Sequence, residues 1–301
     1  MYDTLKQFIP TDRIYAKEPM ATHTSFKIGG PADVYVQPAS KEELIQIITE
    51  CRNNNAPFVT LGHGTNILVP DEGLRKVVIQ LYPHFSGCQL IKDSTHLVAE
   101  AGALLSAVAN AAWKEGLTGL EFASGIPGAV GGAICMNAGA YGHEISDICV
   151  SVEMLMPDGA VVTIPGSEMA FGYRTSILKK NGGVVLSATF ALSAGDKDTI
   201  LAYTQELNQR RRNTQPLEFP SAGSTFKRPP GHYAGKLISD CDLKGVSIGG
   251  AQVSKKHAGF IINTGNATAK DVLNLIEHIQ STVQAQYGVM LEPEVEVLCN
   301  L

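Results

Sequence analysis

Arg174, Ser224, Lys227 and Glu294 are the side chains whose chemistry and neighbours invite a reaction. Arg174 sits in Phe171-Gly-Tyr-Arg-Thr-Ser176, a single guanidinium among aromatic and small residues, suited to a bidentate grip on a carboxylate. It reads equally well as a surface arginine on a turn. Ser224 lies in Pro220-Ser-Ala-Gly-Ser-Thr-Phe-Lys-Arg-Pro229, a hydroxyl after a glycine with the Lys227 ammonium close behind. No Gly-x-Ser-x-Gly elbow is present, which argues against an acyl nucleophile, and a polar linker is the plain alternative. Leu291-Glu-Pro-Glu-Val-Glu-Val297 alternates acid and apolar residues, putting Glu292, Glu294 and Glu296 on one face of a strand. Alternation by itself favours an edge strand with a solvated acidic face. The charge runs Arg210–Arg212 and Lys255-Lys256 read as solvated.

Glycine-rich segments must position these groups. Ser124-Gly-Ile-Pro-Gly-Ala-Val-Gly-Gly-Ala133, closed by Met136-Asn137-Ala-Gly-Ala-Tyr-Gly142, carries almost no charge and many small residues. Without Cβ atoms the backbone can approach a ligand closely, and successive N–H groups can form an anion-binding concavity. A large, flat, phosphate-bearing cofactor suits it; a glycine-rich turn or tight core packing is the competing account. Two further clusters strengthen the first account: Ile28-Gly-Gly-Pro-Ala-Asp33, and Leu61-Gly-His-Gly-Thr-Asn66 at the exit of the apolar run 57–61. Neither the Gly-x-Gly-x-x-Gly fingerprint nor a P-loop is spelled out, which disfavours an ordinary Rossmann site. His63, between two glycines, is either a covalent flavin attachment point or a turn residue, the second being favoured.

A length of 301 residues allows two or three domains. With 44% hydrophobic and 18% charged residues the composition is that of a soluble globular protein. A net charge of −5 argues against nucleic acid, which calls for a basic face, yet leaves room for small anionic substrates at a local cluster. The 6 cysteines (51, 88, 135, 149, 241 and 299) contain no C-x-x-C pair and read as reduced thiols with no metal site. Met1-Tyr-Asp-Thr lacks a signal-peptide opening, and the apolar stretch 101–113 is broken and too short to span a bilayer. A cytosolic protein without a membrane partner is expected.

Ser40-Lys-Glu-Glu43 forms a capping box before a helix running to about Asn53. Strands are expected at 57–61, 76–81 and 96–101, then a helix near 104–115. Residues 151–164 alternate around Asp158-Gly159, the best hairpin signal in the chain, and 184–192 is another strand. A helix near 197–212 ends at Gln215-Pro216, the clearest domain break. Beyond it come a helix at 233–241, strands at 248–254 and 259–263, and a long helix at 268–287. Thr268 caps that helix and Gly288 closes it, and a final strand spans 289–298.

In order along nearly the whole chain, several of these segments resemble UDP-N-acetylenolpyruvoylglucosamine reductases. They are Gly62-His-Gly-Thr-Asn66, Ser124-Gly-Ile-Pro-Gly-Ala-Val-Gly-Gly-Ala133, Asn137-Ala-Gly-Ala-Tyr-Gly142, Tyr173-Arg174, Gly223-Ser-Thr-Phe-Lys227 and Glu292-Pro-Glu-Val295. The short C-terminal third resembles the type II branch of that family. His63-Gly-Thr departs from the Gly-Gly-Ser often found there. The resemblance implies an α+β chain with an FAD-binding domain of the vanillyl-alcohol-oxidase type in two lobes, 1–55 (βαβ-like) and 56–200. It further implies a smaller α+β substrate-binding domain at 201–288 and a C-terminal strand, 289–301, returning to the active site. FAD, held non-covalently, is expected to contact Gly29, Gly30, Gly62, His63, Gly64, Thr65, Asn66, Ala101, Gly102, Ser124, Gly125, Ile126, Pro127, Gly128, Gly131, Gly132, Ala133, Asn137 and Gly139.

The implied reaction is NADPH-dependent reduction, through FAD, of the enolpyruvyl ether of a UDP-sugar to a lactyl ether, giving UDP-N-acetylmuramate for peptidoglycan synthesis. The family roles fall on Arg174 and Glu294 as partners of the enolpyruvyl carboxylate and on Ser224 as proton donor. Tyr173 and, more weakly, Lys227 are expected on the substrate, Lys227 at its diphosphate. Only small-molecule partners and a monomer or weak dimer are expected. Two other classes share part of the pattern. A different flavin oxidase of the same fold should lack the Arg174, Ser224 and Glu294 set. A non-catalytic UDP-sugar-binding protein would carry no yellow chromophore.

Overall fold

In a computed structural model describing residues 1–300, the hydroxyl of Ser40 accepts the Glu43 N–H at 3.2 Å and opens the Lys41–Asn53 helix. Leu44, Ile47, Ile48 and Cys51, at one-turn spacing, are buried on one face. Glu43 does not complete the expected capping box. Its carboxylate instead takes the Arg13 guanidinium in a fork at 2.6 and 2.9 Å and the Ala39 N–H at 2.7 Å. The stronger charge-assisted partner wins over the local backbone donor.

The chain forms two units, each assembled from separated stretches of sequence. One gathers Met1–Ala16, Val34–His63 and Val77–Arg211; the other gathers Lys17–Asp33, Gly64–Lys76 and the chain from Arg212 onward. The sequence suggested consecutive segments, whereas three of the five divisions fall inside strands, Ile14–Pro19, Pro31–Val36 and Leu74–Gln80, and a fourth inside the Lys197–Thr214 helix. Periodicity within a strand is unchanged where its neighbours change, so such a crossing leaves no mark on the pattern.

The first unit holds a parallel pair in which Phe58–Leu61 runs beside residues 77–80, in register from Phe58↔Val77 to Leu61↔Gln80. It also holds a sheet in the order Val161–Pro165, Cys149–Leu155, Val184–Ala191, His96–Glu100 and Cys88–Leu90, with every neighbour antiparallel. The hairpin at Asp158-Gly159 forms as expected, with Leu155 opposite Val161. The Leu105–Lys114 helix packs Leu105, Val108, Ala109 and Ala112 into the core of this unit.

The second unit has its own core under the Ala269–Tyr287 helix. Thr268 and Asp271 form a reciprocal capping box there, and Gly288 closes the helix in the left-handed region. Two expected strands differ. Residues 248–254 split into Ser247–Ile248 and Ala251–Val253, turning at Gly249-Gly250 to pair with each other. The C-terminal strand shrinks to Glu296–Val297, paired in parallel with Ile67–Leu68. Pro293 removes a donor inside the alternating run and allows only an isolated bridge with Phe226.

Candidate functional site

Three of the segments singled out in the sequence converge in the first unit. Gly62 follows the Phe58–Leu61 strand, and a Cβ there would lie 2.8 Å from the Ala129 Cβ. Leu104 bridges Ala129, Leu105 N–H donates to the Gly128 carbonyl at 3.0 Å, and Val130 and Gly131 N–H donate to Ala103 and Ala101 at 2.9 and 2.8 Å. The Val130 and Gly131 donors are thus committed to protein carbonyls and do not belong to a free anion concavity. Gly132 beside them is exposed, with nothing within 4 Å of where its Cβ would be. Ala133 is buried, Ile126 half-buried and Pro127 exposed.

Ser124 donates its hydroxyl to the Glu121 carbonyl at 2.8 Å and receives the Asn208 amide at 3.3 Å. A Cβ on Gly125 would stand 2.5 Å from Asn208 Oδ1 and 3.3 Å from Arg211 Cδ. Arg211, expected as solvated charge, is half-buried, and burial pushes its pKa below the usual arginine value. The signal for this was the helical register. Asn208 and Arg211 stand next to and one turn beyond the buried Leu207 on the Lys197–Thr214 helix.

His63 lies edge-on to Tyr82, ring centroids 4.9 Å apart, and its Nδ1 is buried with no hydrogen-bond partner. Burial pushes its pKa down, favouring the neutral ring. A buried nitrogen left unpaired carries a desolvation cost that a ligand group can relieve. That orphan nitrogen and the open face at Gly132 fit a large ligand with a hydrogen-bonding edge, as FAD is. Other glycines have reasons within the protein. A Cβ on Gly30 would sit 2.2 Å from the Asp71 carbonyl oxygen, on Gly29 2.7 Å from Val69 Cβ, and on Gly102 2.1 Å from the Phe85 carbonyl oxygen. At Gly139 the obstacle is the His143 carbonyl oxygen at 2.6 Å.

Arg174, also in the first unit, occupies a tight turn. Its φ is 56°, and Gly172 and Thr175 exchange N–H···O bonds of 3.1 and 3.2 Å around it. A long side chain in the left-handed region is strained, and surrounding contacts must hold it there. Asn137 supplies such contacts. Itself at φ 42° and fully buried, it donates to the Gly172 carbonyl at 3.2 Å and accepts the Ser146 N–H at 2.9 Å. Ser176 anchors the far side by donating to the Cys135 carbonyl at 3.0 Å. The guanidinium reaches the Gly139 carbonyl at 3.5 Å and stacks 5.1 Å from the Tyr173 ring, which is 51% exposed.

Ser224, Lys227 and Glu294 belong to the second unit, where main-chain pairing brings their segments together. Ser224 bridges Phe260, and Thr225 N–H donates to the Gly259 carbonyl at 2.8 Å. On the other side Phe226 bridges Pro293, Lys227 N–H donates to Glu292 at 2.8 Å, and Glu294 N–H donates to Thr225 at 2.8 Å. Thr225 and Phe226 are buried while Ser224 is exposed. Asn66, expected at the cofactor, donates its amide to the Glu294 carbonyl at 3.1 Å and accepts the Glu296 N–H at 2.9 Å. Gly64 accepts the Ser25 N–H at 3.0 Å in the same unit, in which Thr65 is half-buried. The acidic face of the alternating run is therefore not uniform. Glu292 is 69% exposed and ion-paired with the Lys227 ammonium, whereas Glu294 is half-buried.

Among the described residues no cluster of His, Cys, Asp or Glu is arranged to hold a metal, and no helix is long and apolar enough to cross a membrane. The cysteines are free thiols. Burial pushes Cys51 and Cys88 up to about 11 and Cys149 up to about 12, so these remain protonated at neutral pH.

Residues 215–298 match the family described as UDP-N-acetylenolpyruvoylglucosamine reductase, C-terminal domain, and residues 32–165 match the FAD binding domain family. Over 298 residues the chain is 53% identical to the UDP-N-acetylenolpyruvoylglucosamine reductase of Caldanaerobacter subterraneus subsp. tengcongensis, covering 99% of this chain and 98% of that protein. The protein of the same name from Clostridioides difficile is 46% identical over 298 residues, covering 99% and 97%. The crystal structure of UDP-N-acetylenolpyruvylglucosamine reductase from Thermus caldophilus aligns with a TM-score of 0.80 at 38% identity, covering 93% of this chain and 97% of that one.

Proposed function

The chain belongs to the UDP-N-acetylenolpyruvoylglucosamine reductase family of flavin-dependent oxidoreductases, and from that premise we propose that it uses NADPH to reduce the enolpyruvyl ether of UDP-N-acetylglucosamine enolpyruvate to UDP-N-acetylmuramate. Bound FAD supplies the two-electron relay between NADPH and substrate. The convergence of residues 61–63, 101–105 and 124–133 supports the cofactor's place in the first unit, with the orphan His63 Nδ1 and the face at Gly132 as its points of contact.

The reading is carried by the pairing that lays the Ser224 segment against the Glu294 segment, through Phe226↔Pro293 and Glu294 N–H to Thr225. When hydride reaches the enolpyruvyl β-carbon, negative charge spreads from the α-carbon into the adjacent carboxylate. Arg174, fixed by its turn before any substrate arrives, stabilises that charge as it develops. Ser224 transfers its hydroxyl proton to the α-carbon and recovers one from solvent. An aliphatic hydroxyl is a weak acid, but a carbanion is a strong enough base to take its proton when the two are held in contact. Glu294 assists by donating, in its protonated form, to the substrate carboxylate. Lys227 pairs with the diphosphate in exchange for Glu292.

The purified protein is expected to be yellow, to release its FAD on denaturation, and to be bleached by NADPH and recoloured by the enolpyruvyl substrate in ping-pong turnover. Flavin remaining on the precipitated chain would make His63 a covalent attachment point. Rapid recolouring by oxygen but not by the UDP-sugar would replace the reductase with an oxidase.

A further inference from the structure

The turn that bridges to the Ser224 segment is closed by a histidine acting as an acceptor. Gly259 N–H donates to His257 Nδ1 at 3.1 Å, and the carbonyl of the same Gly259 accepts Thr225 N–H at 2.8 Å. The next residue, Phe260, bridges Ser224, donates its N–H to the His257 carbonyl at 3.0 Å and meets the imidazole edge-on at 5.0 Å. Ser254 locks the near end of the turn. Its hydroxyl accepts the N–H groups of Lys256 and His257 at 3.2 Å each, and its own N–H donates to Phe260 at 2.9 Å. The ring is also packed tightly, since a Cβ on Gly259 or Gly235 would come within 3.0 or 3.3 Å of His257 Cε1. Because Nδ1 accepts, the ring proton of the neutral imidazole sits on Nε2.

We propose that His257 is a positioning residue for Ser224: its neutral Nδ1 holds the Gly259 N–H and so sets the backbone against which Ser224 and Thr225 are laid. The inference rests on Ser224 being the proton donor. A protonated ring has two donors and no acceptor, so it would face the Gly259 N–H with another N–H and release it. Burial keeps the ring neutral by pushing its pKa below the ordinary value, opposed by a backbone hydrogen bond and reinforced by the Lys244 ammonium in the preceding loop. On its own turn Lys255 and Lys256 flank it, Lys256 being bonded to the Arg212 carbonyl at 2.7 Å and standing 3.7 Å from Glu218. On the helix that presents Gly235, Lys236 is paired with Asp240 at 2.7 Å. Burial and the Lys244 ammonium together thus favour the neutral ring.

The FAD-loaded enzyme is tested by stopped-flow, following flavin reduction by NADPH and reoxidation by the UDP-enolpyruvyl sugar separately across pH. Reoxidation by the parent should fall as pH drops below the ordinary histidine value of about 6.5, with no matching fall in reduction. His257→Asn keeps an acceptor that cannot be protonated, so it should retain the neutral-pH rate and lose that acid limb. His257→Phe keeps the bulk without the acceptor and should reoxidise about tenfold slower than the parent at neutral pH, the kinetic equivalent of one net hydrogen bond, with no acid limb of its own and with normal reduction. Should His257→Phe fail to fold, the pH profile of His257→Asn decides. An acid limb that survives in His257→Asn, or a His257→Phe enzyme that reoxidises like the parent, overturns the proposal while Ser224→Ala remains inactive. If Ser224→Ala itself reoxidises like the parent, the proton-donor reading falls first and the positioning role falls with it.

Discussion

The Arg174 turn and the Ser224–Glu294 ladder each hold a polar side chain still, by opposite means. The turn relies on one buried side chain, Asn137, whose amide ties Gly172 to Ser146, and on a left-handed residue that is strained in isolation. The ladder relies on main-chain bonds on both flanks of residues 224–227, which use neither the Ser224 hydroxyl nor the Lys227 ammonium. Where backbone pairing does the holding, the working side chain can be replaced with little harm to the fold. Where a side chain does it, removing the holder disturbs the worker.

Ser224→Ala tests the ladder most severely and should have the largest effect. The exposed hydroxyl has no bond that the pairing needs, so stability should move by less than about 0.5 kcal/mol in urea unfolding. Reoxidation by the enolpyruvyl substrate should nevertheless fall about a thousandfold, the scale of a lost general acid, with flavin reduction by NADPH unchanged. Ser224→Cys, also an acid toward a carbanion, should recover much of the rate. Alanine and cysteine variants that both turn over like the parent would make Ser224 a linker residue.

Next in size comes Arg174→Ala, expected to slow reoxidation about a hundredfold, as for deletion of one oxyanion donor, with reduction little affected. Glu294→Gln should show the same split between half-reactions. Arg174→Gly sharpens the contrast with the ladder. It should be equally impaired yet as stable as the alanine variant or more so, by up to about 1 kcal/mol, because glycine occupies φ 56° without strain. A glycine variant less stable than alanine would mean that the turn is not strained. Asn137→Ala follows, at about 1–3 kcal/mol of stability from leaving buried partners of its amide unpaired, together with slower reoxidation. Lost stability with a normal reoxidation rate would separate Asn137 from Arg174.

Much of this was legible in the sequence, for reasons that also set the limits. The Lys41–Asn53 and Ala269–Tyr287 helices declare themselves because caps and apolar spacing agree, and the Asp158-Gly159 hairpin because its turn chemistry is local. The ordered motifs identified the family to which the chain belongs. What stayed hidden depends on contacts distant in sequence. Glu43 turned to Arg13 across 30 positions, and Asn66 holds Glu294 across 228. Glycine counts could not separate Gly30, excluded from bearing a Cβ by the Asp71 carbonyl, from Gly132, which faces open space. Nor could alternation tell that Glu292 pairs with Lys227 while Glu294 is tied into the ladder.

The Lys227–Glu292 pair gives the smallest expected effect and the finest test of how the ladder treats its side chains. The ammonium and carboxylate are 29% and 69% exposed, so their attraction is screened and worth at most about 1 kcal/mol. Backbone pairing already fixes both residues through Lys227 N–H to the Glu292 carbonyl, and the fold does not depend on the ion pair. If Lys227 receives the substrate diphosphate, Glu292 competes with that anion for the same ammonium. Glu292→Gln removes the competitor and keeps the shape, and should lower KM for the UDP-sugar about two- to threefold with kcat unchanged, which is the mark of uniform binding. Lys227→Met should raise KM and leave kcat near the parent value. Added salt should shrink both differences, since it weakens the ion pair and the phosphate contact alike. A Glu292→Gln enzyme whose KM equals or exceeds that of the parent would leave Lys227 as a surface ion pair and move the diphosphate to another cation.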